Sequence, residues 1–264
     1  VSPSQPHGAP SRAAIEDRLR RQILPILPAG ARGSIGRGRR VVRQVVRRPR
    51  WGNLLRSRPF SDSYGADRGT PADRVYLREF VLAHSRHVRG DVLEMQRDEW
   101  SSLAAGGAVS SVTLLDIDGK NPDATLVADL CAPEPFRQRS FDCEIVLQTL
   151  QYLPDPVLAL ENLWSALREG GCLLVSVPVI APIDLMMGEG GDLWRVTPAG
   201  LGHLIRKAAP TAEVSVSGYG SLAVAAGFLY GIAAEEMRRA YDSSDGRFPV
   251  VACAVARKPL PGQP

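Results

Sequence analysis

Phe141-Asp142-Cys143-Glu144-Ile145-Val146-Leu147 and Cys172-Leu173-Leu174-Val175-Ser176-Val177-Pro178-Val179 decide the fold. Both are short, nearly continuous apolar runs, the pattern of strands covered on both faces. Between them, Pro154 to Arg168 places Val157, Leu160, Leu163, Trp164 and Leu167 on one helical face, and Gly170-Gly171 follows as a helix stop. Strand, helix and strand in that order form a parallel crossover unit.

The same alternation extends in both directions. Asp91–Met95 (DVLEM), Val112–Ile117 (VTLLDI) and Thr125–Ala128 (TLVA) read as earlier strands, and Glu213–Ser217 and Val250–Ala256 as late ones. Thr70 as N-cap, Pro71 at the first helical position and Asp73 in the first turn open a helix that runs to Val88. Thr197-Pro198 opens another, to Ala208, and the Ala-rich segment Leu222 to Tyr241 reads as helical. The expected architecture is α/β: a doubly wound, mostly parallel, seven-stranded, Rossmann-like sheet over residues 61–264.

Composition adds an appendage. Of the 32 basic residues 29 are Arg, and residues 1–60 hold 14 of them against only Glu16 and Asp17, so an arm of net +12 precedes a body of net −8. Residues 1–12 are Pro/Ser/Gln/Gly-rich and read as disordered. Short helices fit 13–24, with Ile15, Leu19 and Ile23 in step, and 41–48. Such an arm is either a solvated basic tail or a contact for an anionic partner, a membrane surface or nucleic acid. No aromatic residue interleaves the arginines before Trp51, which weakens base stacking as its use.

Cys131, Cys143, Cys172 and Cys253 are far apart in sequence, so neither a zinc site nor a disulfide framework is expected. Tyr219–Ala234, 16 uncharged residues rich in Ala and broken by Gly220, Gly227 and Gly231, is short and weakly apolar for a bilayer span, for which about 20 apolar residues are needed. With no secretory pattern at the start, the expected compartment is the cytoplasm.

In doubly wound sheets ligands bind beyond the carboxyl ends of the strands. Those ends carry Glu94, Gln96 and Arg97, then Asp116 and Asp118, then Asp129, then Gln148, Thr149 and Gln151. Asp116 lies 20 residues past Gln96, the placement of a carboxylate that accepts from both hydroxyls of a ribose. The alternative is a turn opener, since Asp116-Ile117-Asp118-Gly119-Lys120-Asn121-Pro122 is rich in turn formers.

Trp51 to Lys258 resembles the class I S-adenosylmethionine-dependent methyltransferases of the small-molecule "type 11" kind, closest to a bacterial subgroup found with sugar and polysaccharide genes. The resemblance lies in Tyr64–Arg74 (YGADRGTPADR), Gly90–Glu94, Val127–Leu130 (VADL), Phe141-Asp142, Leu147–Leu153 (LQTLQYL), Leu167–Gly171 and Asp192–Thr197 (DLWRVT). It implies S-adenosylmethionine as cofactor, with Glu94 near the methionine end, Asp116 on the ribose, and Asp129 with Leu130 at the adenine. Gln96, Arg97 and Gln148 complete the implied cofactor rim. It also implies a lid or substrate role for Asp192–Arg195. One departure stands out: the family's glycine after Glu-x is Gln96 here, followed by Arg97. Glycine serves there because it takes positive φ freely and lets a ligand approach the backbone. Arg97 could compensate by meeting the cofactor's carboxylate.

Methyl transfer to a hydroxyl needs a proton acceptor. Many relatives carry a His just after the fourth strand; Gln148 and Gln151 stand there, and neither takes a proton at neutral pH. Asp192 and His203 are the candidate bases, and Trp194 and Arg195 the candidate acceptor contacts, by stacking or by hydrogen bonds to a sugar or an anionic group. His84 and His87, on the helix before the first strand, read as packed or surface side chains. The expected function is methyl transfer to a small-molecule or glycan hydroxyl; the alternative is a methyltransferase-fold binding protein with a decayed cofactor pocket.

Overall fold

The structure, a computed structural model, describes residues 52–104, 108–188 and 190–262. The helices expected at 13–24 and 41–48 lie outside the described residues. Contacts set Arg58–Pro264 apart as one compact unit, which is described by itself.

Its seven strands are β1 (Gly90–Met95), β2 (Val109–Asp116), β3 (Leu126–Val127), β4 (Phe141–Val146), β5 (Leu167–Pro178), β6 (Glu213–Tyr219) and β7 (Val251–Arg257), in the order β3-β2-β1-β4-β5-β7-β6. All neighbouring pairs from β3 to β5 are parallel; β7 runs antiparallel to both β5 and β6. Among the described residues five α-helices flank the sheet: α1 (Ala72–Ala83), α2 (Glu99–Ala104), α3 (Pro156–Ala166), α4 (Pro198–Ala208) and α5 (Leu222–Leu229).

Period-two alternation divides the side chains between two cores. Val92, Ile145, Leu174 and Cys253 meet Leu77 and Phe80 of α1, Trp100 of α2 and Phe228 of α5 on one face. Leu93, Val146, Leu173 and Val175 meet Leu160 and Leu163 of α3 and Leu201 and Ile205 of α4 on the other. On β7 the second face is all alanine, Ala252, Ala254 and Ala256, which leaves room for α4 to approach the sheet. Asp155 and Thr197 cap α3 and α4, each accepting backbone N–H groups of the first turn, with Pro at the first helical position of both.

Three local expectations are corrected. Thr70 does not cap α1; its N–H and hydroxyl both go to the Glu235 carboxylate, and Pro71 holds the cap position. Gly170-Gly171 lies inside β5, where Gly170 takes φ +75° and pairs through its N–H with the Lys258 carbonyl. The helix expected over 222–241 stops at Leu229, because Gly231 turns at φ +66° with its backbone against Ser61, leaving no space for a Cβ. Two one-turn 3-10 pieces, Ala234–Glu236 and Arg238–Ala240, replace the rest.

Candidate functional site

The carboxyl ends of β1, β2, β4 and β5 lie along one edge, and two of them end alike. Gln96, directly after β1, has φ +63°, and Gln148, two residues past β4, has φ +51°. A side chain in the left-handed region costs about 1–3 kcal/mol, and such strain gathers where the backbone is shaped for a ligand. The turn that glycine usually supplies is therefore made by Gln96, whose N–H donates to the Leu115 carbonyl at 2.9 Å. The Gln96 and Arg97 side chains are exposed.

Glu94 is fully buried, and its two oxygens accept the N–H groups of Trp100 (2.7 Å) and Ser101 (2.9 Å) at the start of α2. Burial raises its pKa, with those hydrogen bonds opposing. Asp116 ends β2, buried, and serves as a turn opener as well: Oδ1 accepts the Asp118 N–H at 3.0 Å. Its Oδ2 accepts from Asn121 Nδ2 at 2.8 Å, and that amide also donates to the Gln96 carbonyl at 3.1 Å. Asn121, which sequence reading passed over as a turn residue, thus ties the first two strand ends together. Asp129 is exposed with one oxygen on the Cys131 N–H; Leu130 is buried beside it, its carbonyl held by Asn162. Ile117 and Val127, 67% and 49% exposed, put apolar surface next to these two carboxylates.

Beside this rim lies a cavity of about 280 Å³. Tyr64, Asp73 and Arg74 line it from the α1 side, Gln148, Gln151 and Tyr152 from beyond β4, and Pro178, Asp184, Asp192 and Arg195 from β5 and the loop after it. Gln148 Nε2 donates to Asp73 Oδ2 at 3.2 Å, joining strand end to helix. Burial pushes the Asp73 carboxyl above its usual range, against the pull of Arg74. Tyr64 is pushed up to about 12 by burial and by the nearby Asp184 and Asp192 charges.

Asp192 and Arg195 meet in a two-pronged ion pair at 2.6 Å, their side chains 2% and 23% exposed. That contact holds the Asp192 carboxyl below its usual range, so it is a poor proton acceptor at neutral pH. Trp194 is partly exposed, its indole N–H donating to the Leu153 carbonyl at 2.8 Å. His203 is exposed on α4 and does not line the cavity. His84 and His87 border a separate hollow with Glu213 and Arg257. Asp73, read from the sequence only as a first-turn acid, is a second residue that sequence reasoning missed; its partner Gln148 is 75 positions away.

The sheet order, with β7 alone antiparallel, is the Rossmann-like methyltransferase fold. Residues 101–175 match the family described as Methyltransferase domain, Methyltransf_11. Order and match together support the class I methyltransferase family. The matched stretch begins past the first turn, so Glu94 to Arg97 lie outside it. No curated protein matches the chain in sequence. Similar solved structures include a chain from a Haloferax volcanii complex between a methyltransferase activator and a methyltransferase, at 18% identity and a TM-score of 0.48 over 77% of this chain and all of that one. Another is an S-adenosylmethionine-dependent methyltransferase from Mesorhizobium loti, at 16% identity and 0.48 over 71% of this chain and 98% of that one. A third is the N-methyltransferase NodS from Bradyrhizobium japonicum in complex with S-adenosyl-L-homocysteine, at 13% and 0.47 over 76% and 94%. Among the described residues no helix is long and apolar enough to cross a membrane.

Proposed function

We propose that this chain is an S-adenosylmethionine-dependent methyltransferase acting on a hydroxyl of a small molecule or glycan, of the bacterial sugar-associated kind. The observation that carries the reading is the left-handed backbone at Gln96, directly past β1, with the Asp116 carboxylate one strand away. Backbone in that conformation lets a ligand approach closely, and a carboxylate at the neighbouring strand end suits a vicinal diol.

The residues present fit the cofactor. Asp116 keeps acceptor capacity on both oxygens beyond the two bonds it makes, since a carboxylate has about four lone-pair sites. Asp129 and Leu130 would hold the adenine, against the apolar surface of Ile117 and Val127. The exposed Arg97 guanidinium would meet the carboxylate, with Gln96 and Gln148 forming the walls. Glu94 acts through the chain, by fixing the start of α2. When bound, the cofactor supplies an electrophilic methyl group.

The acceptor enters the cavity next to Gln148. Asp73, which lines the cavity and whose carboxyl is raised by burial, takes the acceptor's proton; Asp192 is held low by Arg195, and His203 stands outside the cavity lining. Arg195 lines the cavity, and Trp194, next to it in sequence and outside the lining, keeps an exposed face for a larger acceptor. The free cysteines agree with a cytoplasmic setting, and the Arg-rich arm with an anionic partner such as a membrane surface or nucleic acid.

Calorimetric titration of the full chain with S-adenosyl-L-homocysteine tests the reading. Saturable binding, weakened at least tenfold by Asp116→Ala, is expected. Absence of heat at millimolar ligand would leave a methyltransferase-fold binding protein.

A further inference from the structure

Arg195 and Arg74 are the cations that line the cavity among the described residues, and the chemistry of Arg195 argues against an anionic ligand there. A guanidinium has five N–H donors. Here they go to the Ala181 carbonyl (3.4 Å), the Trp194 carbonyl (2.9 Å), the Pro182 carbonyl (2.7 Å) and both Asp192 oxygens (2.6 Å each). None is left for a ligand. Arg74 engages the Trp100 ring, 5.6 Å from its centroid, and stands 3.5 Å from the Glu99 carboxylate.

What the cavity does offer is acceptors. Gln151 is 4% exposed, lines the cavity, and its Oε1 has no hydrogen-bond partner. The amide's orientation is fixed, because Nε2 donates to the Gln148 carbonyl at 2.9 Å and only a donor can serve there. A buried acceptor left unmatched loses its hydration without compensation unless a ligand satisfies it. Asp73 keeps one oxygen clear of Gln148, and Asp184 accepts from the Tyr152 hydroxyl at 3.0 Å. Tyr64, packed against Phe228 with ring centroids 6.1 Å apart, gives the same cavity an aromatic wall for the C–H face of a sugar ring.

We propose that the cavity selects a saccharide bearing O–H or N–H donors and no acidic group, seated by a donor on Gln151 Oε1, and that it rejects phosphorylated or carboxylated acceptors. This rests on the reading of the cavity as the acceptor site and names the acceptor's class.

Saturation-transfer NMR on the full chain, with and without S-adenosyl-L-homocysteine, tests it with three probes of one ring size: methyl β-D-glucopyranoside, D-glucosamine and D-glucuronate. The glucoside and the amino sugar are expected to bind, with glucuronate at least tenfold weaker. Gln151→Met, nearly equal in volume but without the acceptor, is expected to lower glucoside binding at least tenfold while circular dichroism stays unchanged. Should that variant not fold, the wild-type ranking alone decides. Glucuronate binding as tightly as the glucoside, or no binding of either the glucoside or glucosamine under both conditions, overturns the proposal. Calorimetry on the same samples separates the two ideas: sugar selection without nucleoside binding sinks the methyltransferase reading alone, and nucleoside binding with glucuronate preferred sinks this one alone.

Discussion

The rim beyond β1–β3 and the cavity beyond β4–β5 are built by opposite means. At the rim the backbone does the shaping: a left-handed residue at Gln96, a turn closed on Asp116, and direct loops with no helix between β2 and β3 or β3 and β4. Its side chains Gln96, Arg97 and Asp129 stand exposed. In the cavity side chains do the shaping: Arg195 ties the 181–195 loop to Asp192, and Gln148 ties β4's end to α1. A site made of backbone tolerates exchanges of side chain, including Gln for Gly, as long as the dihedral angles persist. A site made of side chains is sensitive to single truncations.

The largest effect is therefore expected at Asp192. Removing one partner of a buried ion pair costs about 3–5 kcal/mol, because the other charge is left unmatched. Asp192→Ala is expected to free the loop, raise amide exchange at Asp184–Gly188, and abolish glucoside binding, while nucleoside affinity at the rim changes less than threefold. Loss of both affinities together would break the division into two regions. The pair also gives the loop a pH dependence. The Asp192 carboxyl lies below its usual range when folded. Its contribution is thus full above the ordinary aspartate value of about 3.9 and is lost as pH falls through the folded one. Hydrogen exchange of the loop measured at falling pH checks this.

The two regions share a second contrast, between buried glutamates on neighbouring strands. Glu94 on β1 accepts two N–H groups, whereas Glu144 on β4 is fully buried with both oxygens unpartnered. Burial drives the Glu144 carboxyl well above its usual range, against the pull of Lys258, and so favours its neutral form. The unfolded chain ionises it above about pH 4.3, so its destabilising effect grows as pH rises from there. Glu144→Leu, beside Leu93 and Leu173 of the adjacent strands, is expected to stabilise by about 1–3 kcal/mol at pH 7 and by less near pH 4. Urea denaturation at both pH values measures it; equal gains at both would mean that a partner keeps the group ionised.

A smaller effect is expected at Asn121. If its amide competes with a ribose for Asp116 Oδ2, Asn121→Ala tightens nucleoside binding by about three- to tenfold, the equivalent of one ordinary hydrogen bond. Weaker binding would mean instead that Asn121 aims the carboxylate. Calorimetry decides.

Much of this fold was legible in the sequence. Continuous apolar runs such as Cys172–Val179 can be satisfied only between two covering layers, and the Thr197-Pro198 start of α4 is a local signal that holds locally. What was not legible depends on contacts far apart in sequence. Thr70 carries every mark of an N-cap, but Glu235, 165 positions on, takes its hydroxyl. Gly231 ends a helix because Ser61 stands against it. In the candidate site, the strand-end acids were readable from position alone, but Arg195 and Asp192 were read as separate functional groups, and their pairing consumes both. Gln151 was readable only as a strand-end residue and Asp73 only as a first-turn acid, since burial and an unmatched oxygen are properties of packing.

The smallest effect, and the one that bears most directly on the rim, is expected at Gln96→Gly. Relief of a left-handed side chain is worth about 1–2 kcal/mol, and the added freedom of glycine in the unfolded chain returns about 0.5–1 kcal/mol of it. A net gain of about 0.5–1 kcal/mol should appear as a raised denaturation midpoint with an unchanged urea dependence. Because φ is already +63° with glutamine in place, the turn itself should not move, and nucleoside affinity should change less than threefold. An increase above tenfold would locate the obstruction in the Gln96 side chain and make the rim, like the cavity, a site governed by side chains. A fall in stability would mean that the glutamine side chain makes contacts that outweigh the strain of its backbone.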